Sequence, residues 1–262
     1  MRWVAAAALV LACGWAAAEP PERLMLIAHR GVVTDTITEN SLESLEEAIR
    51  RGYTHVEVDL RVTKDGHAVC LHDSNLKRTT GIEKKIHEVT LAELQGMVSE
   101  NVVPSFETYC KTAAGRIELM PDIKDYPPTQ RKAFIASLDA SMTKHGLVEG
   151  ALFIGRNEIG MAFVRRARVA TRLSAEQLAR PHPNGITPAN NFFVFRHAKD
   201  FNAQNVAAYR ALGIPTVVSI NTFHYTTGDA VQQGLDDVQK MLALKVDGLQ
   251  IDAVYDGEVV GP

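Results

Sequence analysis

The chain has 262 residues, of which 46% are hydrophobic and 23% charged, and its formal net charge is −3. This length fits one large domain or two small ones with a sizeable core. The acidic balance and the aromatic content of 6% argue against a nucleic-acid-binding protein, which needs a basic surface and often aromatic stacking platforms.

The first residues have the pattern of an export signal. A basic residue precedes a short apolar run, and small residues precede Glu19. The run is too short to span a membrane comfortably. We therefore predict a secretory signal peptide over residues 1–18 and a periplasmic or secreted domain over residues 19–262. The same region also resembles a bacterial lipoprotein signal to residue 12, which would place a lipid anchor on Cys13.

Strand-like and helix-like segments alternate along the rest of the chain, which is typical of a parallel sheet with crossover helices. The eight predicted strands lie in RLMLIAHRG, HVEVDL, RIELMPDIKD, ALFIGR, ARVATRL, NFFVFRH, IPTVVSIN and GLQID. We therefore predict a (β/α)8 TIM barrel with an extra β-hairpin arm after the second strand. Between the first two strands, Asn40 and Glu43 predict the capping box of a helix.

The hairpin gathers polar residues on one face. The sequence HVEVDLRVTKDGHAVCLHD predicts two strands joined by a two-residue Asp-Gly loop of type I′. In that register Asp59 lies opposite His72, and Glu57 shares their face. A solvated polar face is the alternative, but the other face of the first strand is apolar. The pattern therefore favours a functional cluster.

Other polar residues lie at or just past the ends of the first and third predicted strands: His29, Asp122 and Lys124. In a TIM barrel the catalytic groups sit at the C-terminal ends of the strands. We therefore expect these three residues to meet the polar face of the hairpin at one mouth of the barrel.

Several motifs resemble those of the glycerophosphodiester phosphodiesterase family. The similarity is strong over residues 24–125 and looser afterwards. The motifs that resemble those of the family are HRG at 29–31, ENS at 39–41, EVDLRVTKDG at 57–66, HDSNLKRTT at 72–80, DIKD at 122–125 and VDGLQID at 246–252.

The resemblance implies a (β/α)8 barrel and a phosphoric diester hydrolase that converts glycerophosphodiesters to glycerol 3-phosphate and an alcohol. It also implies one divalent cation, Mg²⁺ or Ca²⁺, as cofactor. Carried over residue by residue, it makes His29 and His72 the acid–base pair, Glu57, Asp59 and Asp122 the metal ligands, and Arg30 and Lys124 the phosphate-binding residues.

The chemistry of phosphodiester hydrolysis requires the same residue types. A cation neutralises the non-bridging oxygens, and a set of carboxylates suits Mg²⁺ or Ca²⁺. One imidazole can take a proton from the attacking hydroxyl while another gives one to the leaving alkoxide. The attacking hydroxyl could belong to water or to the glycerol of the substrate.

The third acidic ligand could be Glu118 or Asp122, because both lie on the same strand face. They are about 13 Å apart at roughly 3.3 Å per residue. Asp122 is nearer the C-terminal strand end, so we predict that it is the ligand. Glu118 is then expected deep in the barrel, paired with Arg116 or another buried cation.

Two other functions fit the pattern less well. A phospholipase D-like barrel acting on phospholipid headgroups would need an exposed apolar rim. A periplasmic protein that only binds phosphodiesters would not need both His29 and His72. The family usually has a tryptophan in the strand where this chain has Val218 and Ser219, and a different sequence after Asp252, so the alcohol is the least determined part of the substrate.

The sequence alone does not determine the role of four other residues. His197 and His224 follow late strands at the functional face, so they are candidates for substrate contact. Cys70 and Cys110 could form one disulfide or remain small buried side chains.

Overall fold

The computed structural model describes residues 24–259, apart from the side chain of Asn157. The predicted signal peptide over residues 1–18 and the candidate lipid anchor at Cys13 lie outside this range. Among the described helices, none is long and apolar enough to cross a membrane.

Nine strands form one sheet, and eight of them are parallel. In the sheet they follow the order β1-β9-β8-β7-β6-β5-β4-β2-β3, and β1 also pairs with β2, which closes the barrel. The antiparallel β3 lies outside the closed ring, on β2. The predicted barrel with its extra arm is therefore confirmed. The strands are β1 (Met25–Ala28), β2 (His55–Val62), β3 (Ala68–Cys70), β4 (Glu118–Ile123), β5 (Leu152–Gly155), β6 (Arg168–Thr171), β7 (Phe192–His197), β8 (Thr216–Ile220) and β9 (Gly248–Ile251).

Helices connect the strands and cover the outside of the barrel. The α-helices of the described residues are α1 (Leu42–Arg50), α2 (Lys77–Thr80), α3 (Leu91–Met97), α4 (Phe106–Ala113), α5 (Arg131–Lys144), α6 (Asn157–Gly160), α7 (Ala175–Leu178), α8 (Pro188–Asn191), α9 (Ala203–Ala211) and α10 (Ala230–Ala243). Short 3-10 helices lie at Ile86–Glu88, Pro128–Gln130, Ala198–Asp200, Thr222–His224 and Ala253–Glu258.

The barrel interior is a small apolar cluster that includes Ile27 of β1 and Met120 of β4. Side chains alternate along a strand, so the residue two positions further on lies on the same face. His29 therefore follows Ile27 toward the mouth of the barrel, and Asp122 follows Met120. The same alternation sends the other strand residues outward, into the larger core between the strands and the helices.

The loop of the hairpin is longer by one residue than predicted. Leu60 pairs with Cys70, so Asp59 lies opposite Leu71, and the predicted pairing of Asp59 with His72 is wrong. The cause is the side chain of Thr63, which accepts a hydrogen bond from the backbone N–H of His67 at 3.0 Å and so closes a three-residue loop.

The chain after β3 packs on itself as much as on the barrel. We call residues 68–103, which begin with β3, the arm. Ala68 and Cys70 belong to the main core, whereas the other buried apolar side chains of the arm form a separate cluster. Its members are Val69, Leu71, Leu76, Ile86, Val89, Leu94, Val98 and Val103. His72 lies in this arm, outside the ring of parallel strands.

The start of α1 also differs from the prediction. Ser41 is the N-cap, since its hydroxyl accepts the backbone N–H of Ser44 at 3.0 Å. Asn40 is in the left-handed region with a φ of 58°. Its amide instead donates to Asp59 at 2.8 Å and accepts the Asp59 backbone N–H at 2.9 Å. The capping-box prediction for Asn40 is therefore wrong, and this residue holds part of the barrel mouth.

The turn after β1 allows a test of the fold. Gly31 and Gly81 have nearly equal φ values of 78° and 77°, so an alanine strains the backbone alike at both sites. A Cβ on Gly31 would lie 2.7 Å from the carbonyl carbon of Ser44, whereas one on Gly81 meets no described atom within 4 Å. We expect Gly81→Ala to lower the free energy of unfolding by about 1 kcal/mol and Gly31→Ala by about 1–3 kcal/mol more, measured by denaturant unfolding. Equal losses would contradict this packing.

Candidate active site

Three carboxylates meet at the mouth of the barrel. We call Glu57 and Asp59 of β2 and Asp122 of β4 the acidic cluster; each offers an oxygen within 4.8 Å of the others. Parallel pairing puts Asp59 level with Asp122, and Glu57 lies two residues earlier on the same face. The structure thus brings together the three residues that were predicted to bind a metal.

The charges of the cluster are only partly balanced by cations. Lys124 Nζ lies 2.7 Å from Asp59 Oδ1 and 2.6 Å from Asp122 Oδ2. Burial alone would raise the pKa of Asp59, but Lys124 and Arg30 outweigh burial and lower it. Burial raises the pKa of Glu57 well above its usual range, and repulsion by Asp59 and Asp122 adds to this effect.

These properties fit a divalent cation. The donors are all oxygens, which Mg²⁺ and Ca²⁺ prefer. Lys124 and Arg30 supply two positive charges against three carboxylates, which leaves an excess of negative charge that adds to burial in raising the pKa of Glu57. A divalent cation would remove this excess. The acidic cluster could therefore hold such an ion.

Both predicted catalytic histidines are bound by a carboxylate in the same way. His29 Nδ1 lies 2.7 Å from Asp252 Oδ1, and His72 Nδ1 lies 2.7 Å from Asp73 Oδ1. An ionised carboxylate only accepts, so the network assigns the hydrogen to Nδ1 of each ring. In the neutral form, each histidine then keeps a lone pair on Nε2 for proton transfer.

Asp252 is itself held firmly. It accepts hydrogen bonds from the backbone N–H of Thr222 at 2.7 Å, the Thr222 hydroxyl at 2.8 Å and the Asn221 amide at 3.2 Å. Burial would raise the pKa of Asp252, but the bonds from His29 and Thr222 lower it to about 2. Asp252 is thus charged at neutral pH and fixes the ring of His29.

Asp73 is held by Arg78. The Arg78 Nε donates to Asp73 Oδ2 at 2.6 Å, and this bond, followed by that from His72, keeps the pKa of Asp73 below its usual range. Arg78 also donates to Glu39, which accepts a second bond from Arg30 at 2.8 Å. The arm is therefore tied to the turn after β1.

Arg30 serves the site with its backbone as well as its side chain. Its backbone N–H donates to Glu57 Oε2 at 2.9 Å. Its Nε lies 3.2 Å from Asp59 Oδ2 but is buried without a hydrogen-bond partner among the described residues.

Glu118 lies away from the acidic cluster. It begins β4, level with His55, whereas Asp122 is level with Asp59. The predicted pairing with Arg116 is wrong, because Arg116 binds Glu46 at 2.6 and 2.7 Å on the surface. Glu118 is half-buried, and burial raises its pKa.

Sequence reasoning did not identify the three residues that orient the others: Asn40, Asp73 and Asp252. A signal existed for two of them. Asp73 follows His72 directly, and Asp252 ends the last strand at the same barrel face as His29. Asn40 gave no comparable signal, because its residue type is also frequent at helix N-caps.

The chain is similar to known proteins. Residues 29–144 match the model of the glycerophosphoryl diester phosphodiesterase family. A glycerophosphodiester phosphodiesterase of Caldanaerobacter subterraneus is 36% identical over 73 residues, which cover 28% of this chain and 30% of the relative. A human lysophospholipase D is 32% identical over 99 residues, which cover 38% of this chain and 31% of the relative. The chain thus matches about a third of the length of these relatives.

Solved structures share the whole fold. A phosphodiesterase of Oleispira antarctica, solved in complex with its product sn-glycerol-3-phosphate, superposes with a TM-score of 0.66 and 21% identity. The match covers 90% of this chain and 96% of that chain. At this identity the likeness shows the fold.

The acidic cluster predicts a stabilising effect of cations that does not depend on turnover. Mg²⁺ or Ca²⁺ at 100 times its dissociation constant should raise the free energy of unfolding by about 2.7 kcal/mol, because it binds only the folded state. Thermal melts with and without the ion should show this shift in the wild type and in Glu118→Ala, but not in Asp122→Ala. A shift that survives in Asp122→Ala and disappears in Glu118→Ala would assign the ligand role to Glu118.

Proposed function

Because the chain belongs to the glycerophosphoryl diester phosphodiesterase family, we propose that it hydrolyses glycerophosphodiesters to glycerol 3-phosphate and an alcohol. The observation that carries the proposal is the pair of histidines, His29 and His72, each with its Nδ1 bound to a carboxylate beside one acidic cluster. A protein that only binds phosphodiesters has no need of two oriented imidazoles.

Substrate binding depends on charge. A divalent cation held by Glu57, Asp59 and Asp122 would neutralise the phosphodiester and polarise its phosphorus–oxygen bonds. Arg30 adds the positive charge of its guanidinium, which pairs with Asp59 and Glu39. Lys124 is positively charged at neutral pH. Burial lowers its pKa, but Asp59 and Asp122 raise the pKa above its usual value.

Proton transfer depends on the two histidines. One Nε2 accepts the proton of the attacking hydroxyl as the new phosphorus–oxygen bond forms. The other imidazole, protonated, gives a proton to the alkoxide as its bond to phosphorus breaks. Asp252 and Asp73 stabilise the imidazolium that each ring becomes in turn, since each accepts from Nδ1 at 2.7 Å. The protein as a whole gains and loses no proton over the cycle.

The proposal is tested by measuring kcat on glycerophosphodiesters with and without a chelator. Exhaustive chelation should abolish turnover, and Mg²⁺ or Ca²⁺ should restore it. His29→Ala and His72→Ala should each lower kcat by about 10²–10⁴-fold, the usual effect of losing an acid or a base. His67→Ala is the matched control, because this exposed residue lies at the hairpin loop.

Full turnover after chelation would remove the metal from the mechanism. An essential His67 with a dispensable His72 would show that the arm does not bring His72 into the active site.

A second candidate substrate is a lysophospholipid, which adds an acyl chain to the glycerophosphodiester. A cavity of about 420 Å³ adjoins His29 and is lined in part by Val33, Phe223 and Val254. These three side chains are 38%, 61% and 52% exposed. An apolar rim beside the catalytic residues is what an acyl chain requires, and the human relative is a lysophospholipase D.

The rim predicts a selective effect of Phe223→Ser. This variant should lower kcat/KM for lysophosphatidylcholine by about 5–30-fold, the loss of roughly 1–2 kcal/mol of apolar contact, and change that for glycerophosphocholine little. Met161→Ser is the control, because Met161 is 40% exposed and follows β5. Equal losses on both substrates would exclude an acyl-binding role for the rim.

A further inference from the structure

A separate cavity of about 270 Å³ lies at the C-terminal ends of β7 and β8. Six residues contribute polar groups to its lining: His197, Lys199, Ser219, His224, Tyr225 and Asp237. The reaction described above uses none of them. His197 and His224 are also the histidines whose positions in the sequence suggested contact with substrate.

The cavity adjoins the catalytic histidine of β1. The ring of His224 contacts that of Phe223 at 4.3 Å between centroids, and Phe223 contacts His29 at 5.8 Å. Asn221, which precedes this turn, donates to Asp252, the partner of His29. A group bound here therefore lies one aromatic ring, that of Phe223, away from His29.

The two cavity histidines form a fixed donor–acceptor pair. The backbone N–H of Asn221 donates to His224 Nδ1 at 3.3 Å, so that nitrogen carries a lone pair and the hydrogen is on Nε2. His197 Nδ1 lies 3.3 Å from the same nitrogen and must therefore donate to it. Burial, with the nearby His197, lowers the pKa of His224 to about 4 and keeps this ring neutral. In this arrangement His224 offers an Nε2–H donor, and His197 offers an Nε2 lone pair as an acceptor.

The other two polar groups also form a donor and an acceptor. Asp237 Oδ2 accepts the Tyr225 hydroxyl at 2.9 Å, which leaves Oδ1 as a further acceptor. No carboxylate of residues 24–259 forms an ion pair with Lys199, so its ammonium hydrogens remain available. The charges of Lys199 and Asp237 cancel, so the cavity is not a site for an anion.

Donors and acceptors at several points of one cavity suit hydroxyl groups, because each hydroxyl both donates and accepts. We propose that this cavity binds the leaving alcohol of the diester and selects polyhydroxylated alcohols. The inference rests on the proposed hydrolysis of glycerophosphodiesters. A trimethylammonium group such as that of choline would meet the Lys199 ammonium and leave the hydrogen-bonding groups unpaired, which disfavours it.

The test compares diesters that share glycerol 3-phosphate and differ only in the alcohol. Wild-type kcat/KM should be at least about ten-fold higher for glycerophosphoinositol and glycerophosphoglycerol than for glycerophosphocholine, since hydrogen bonds to charged groups are involved. Lys199→Met and Asp237→Asn should each remove most of this preference by lowering kcat/KM for glycerophosphoinositol and glycerophosphoglycerol. Lys199→Met should also raise kcat/KM for glycerophosphocholine, because it removes the like charge. Lys240→Met, on the exposed face of α10, is the matched control.

Each other outcome has a defined meaning. Turnover of all three diesters at similar rates would overturn the inference and leave the proposed function intact. Variants that slow all three diesters alike would place the common glycerol in the cavity, which also overturns it. No turnover of any diester by the wild type would overturn the proposed function and the inference with it.

Discussion

Repulsion among three carboxylates, two of them buried, is the constraint around which the mouth of the barrel is organised. Parallel pairing of β2 with β4 brings the acidic cluster together, and the low polarity of the interior makes its crowding costly. Groups from three separate segments offset part of that cost: the ammonium of Lys124, the backbone and guanidinium of Arg30, and the amide of Asn40. Burial and the deficit of positive charge together raise the pKa of Glu57, and the deficit favours the cation binding that we infer.

A chain of ion pairs links the acidic cluster to the partner of His72. Arg30 binds Glu39, Glu39 binds Arg78, and Arg78 binds Asp73, which orients His72. Positive and negative groups alternate along this chain, so each one is stabilised by its two neighbours. Orientation of His29 is independent of it, because Asp252 is held by the backbone and side chains that follow β8. The two imidazoles are thus positioned by different networks.

Much of this arrangement could be predicted from the sequence, and the failures have a common cause. Strand periodicity is a local property, so it placed Glu57, Asp59 and Asp122 on one inner face and identified all eight barrel strands. The hairpin loop was missed because a side chain, Thr63, lengthens it. Asp252 was missed as the partner of His29 because 223 residues separate them and only barrel closure brings them together. Side-chain contacts that override local rules, or that join distant segments, are not encoded in a sequence pattern.

The separate packing of the arm has a consequence for how the protein tolerates disturbance. The arm carries His72 and Asp73 and has a smaller apolar cluster than the main core, while His29 directly follows β1 of the closed ring. Regions with fewer buried contacts open at a lower free energy than the whole fold. Transient detachment of the arm would therefore withdraw one imidazole from the reacting centre while the parallel ring stays closed. Heat or mild denaturant should silence such an enzyme reversibly, well before the barrel itself melts.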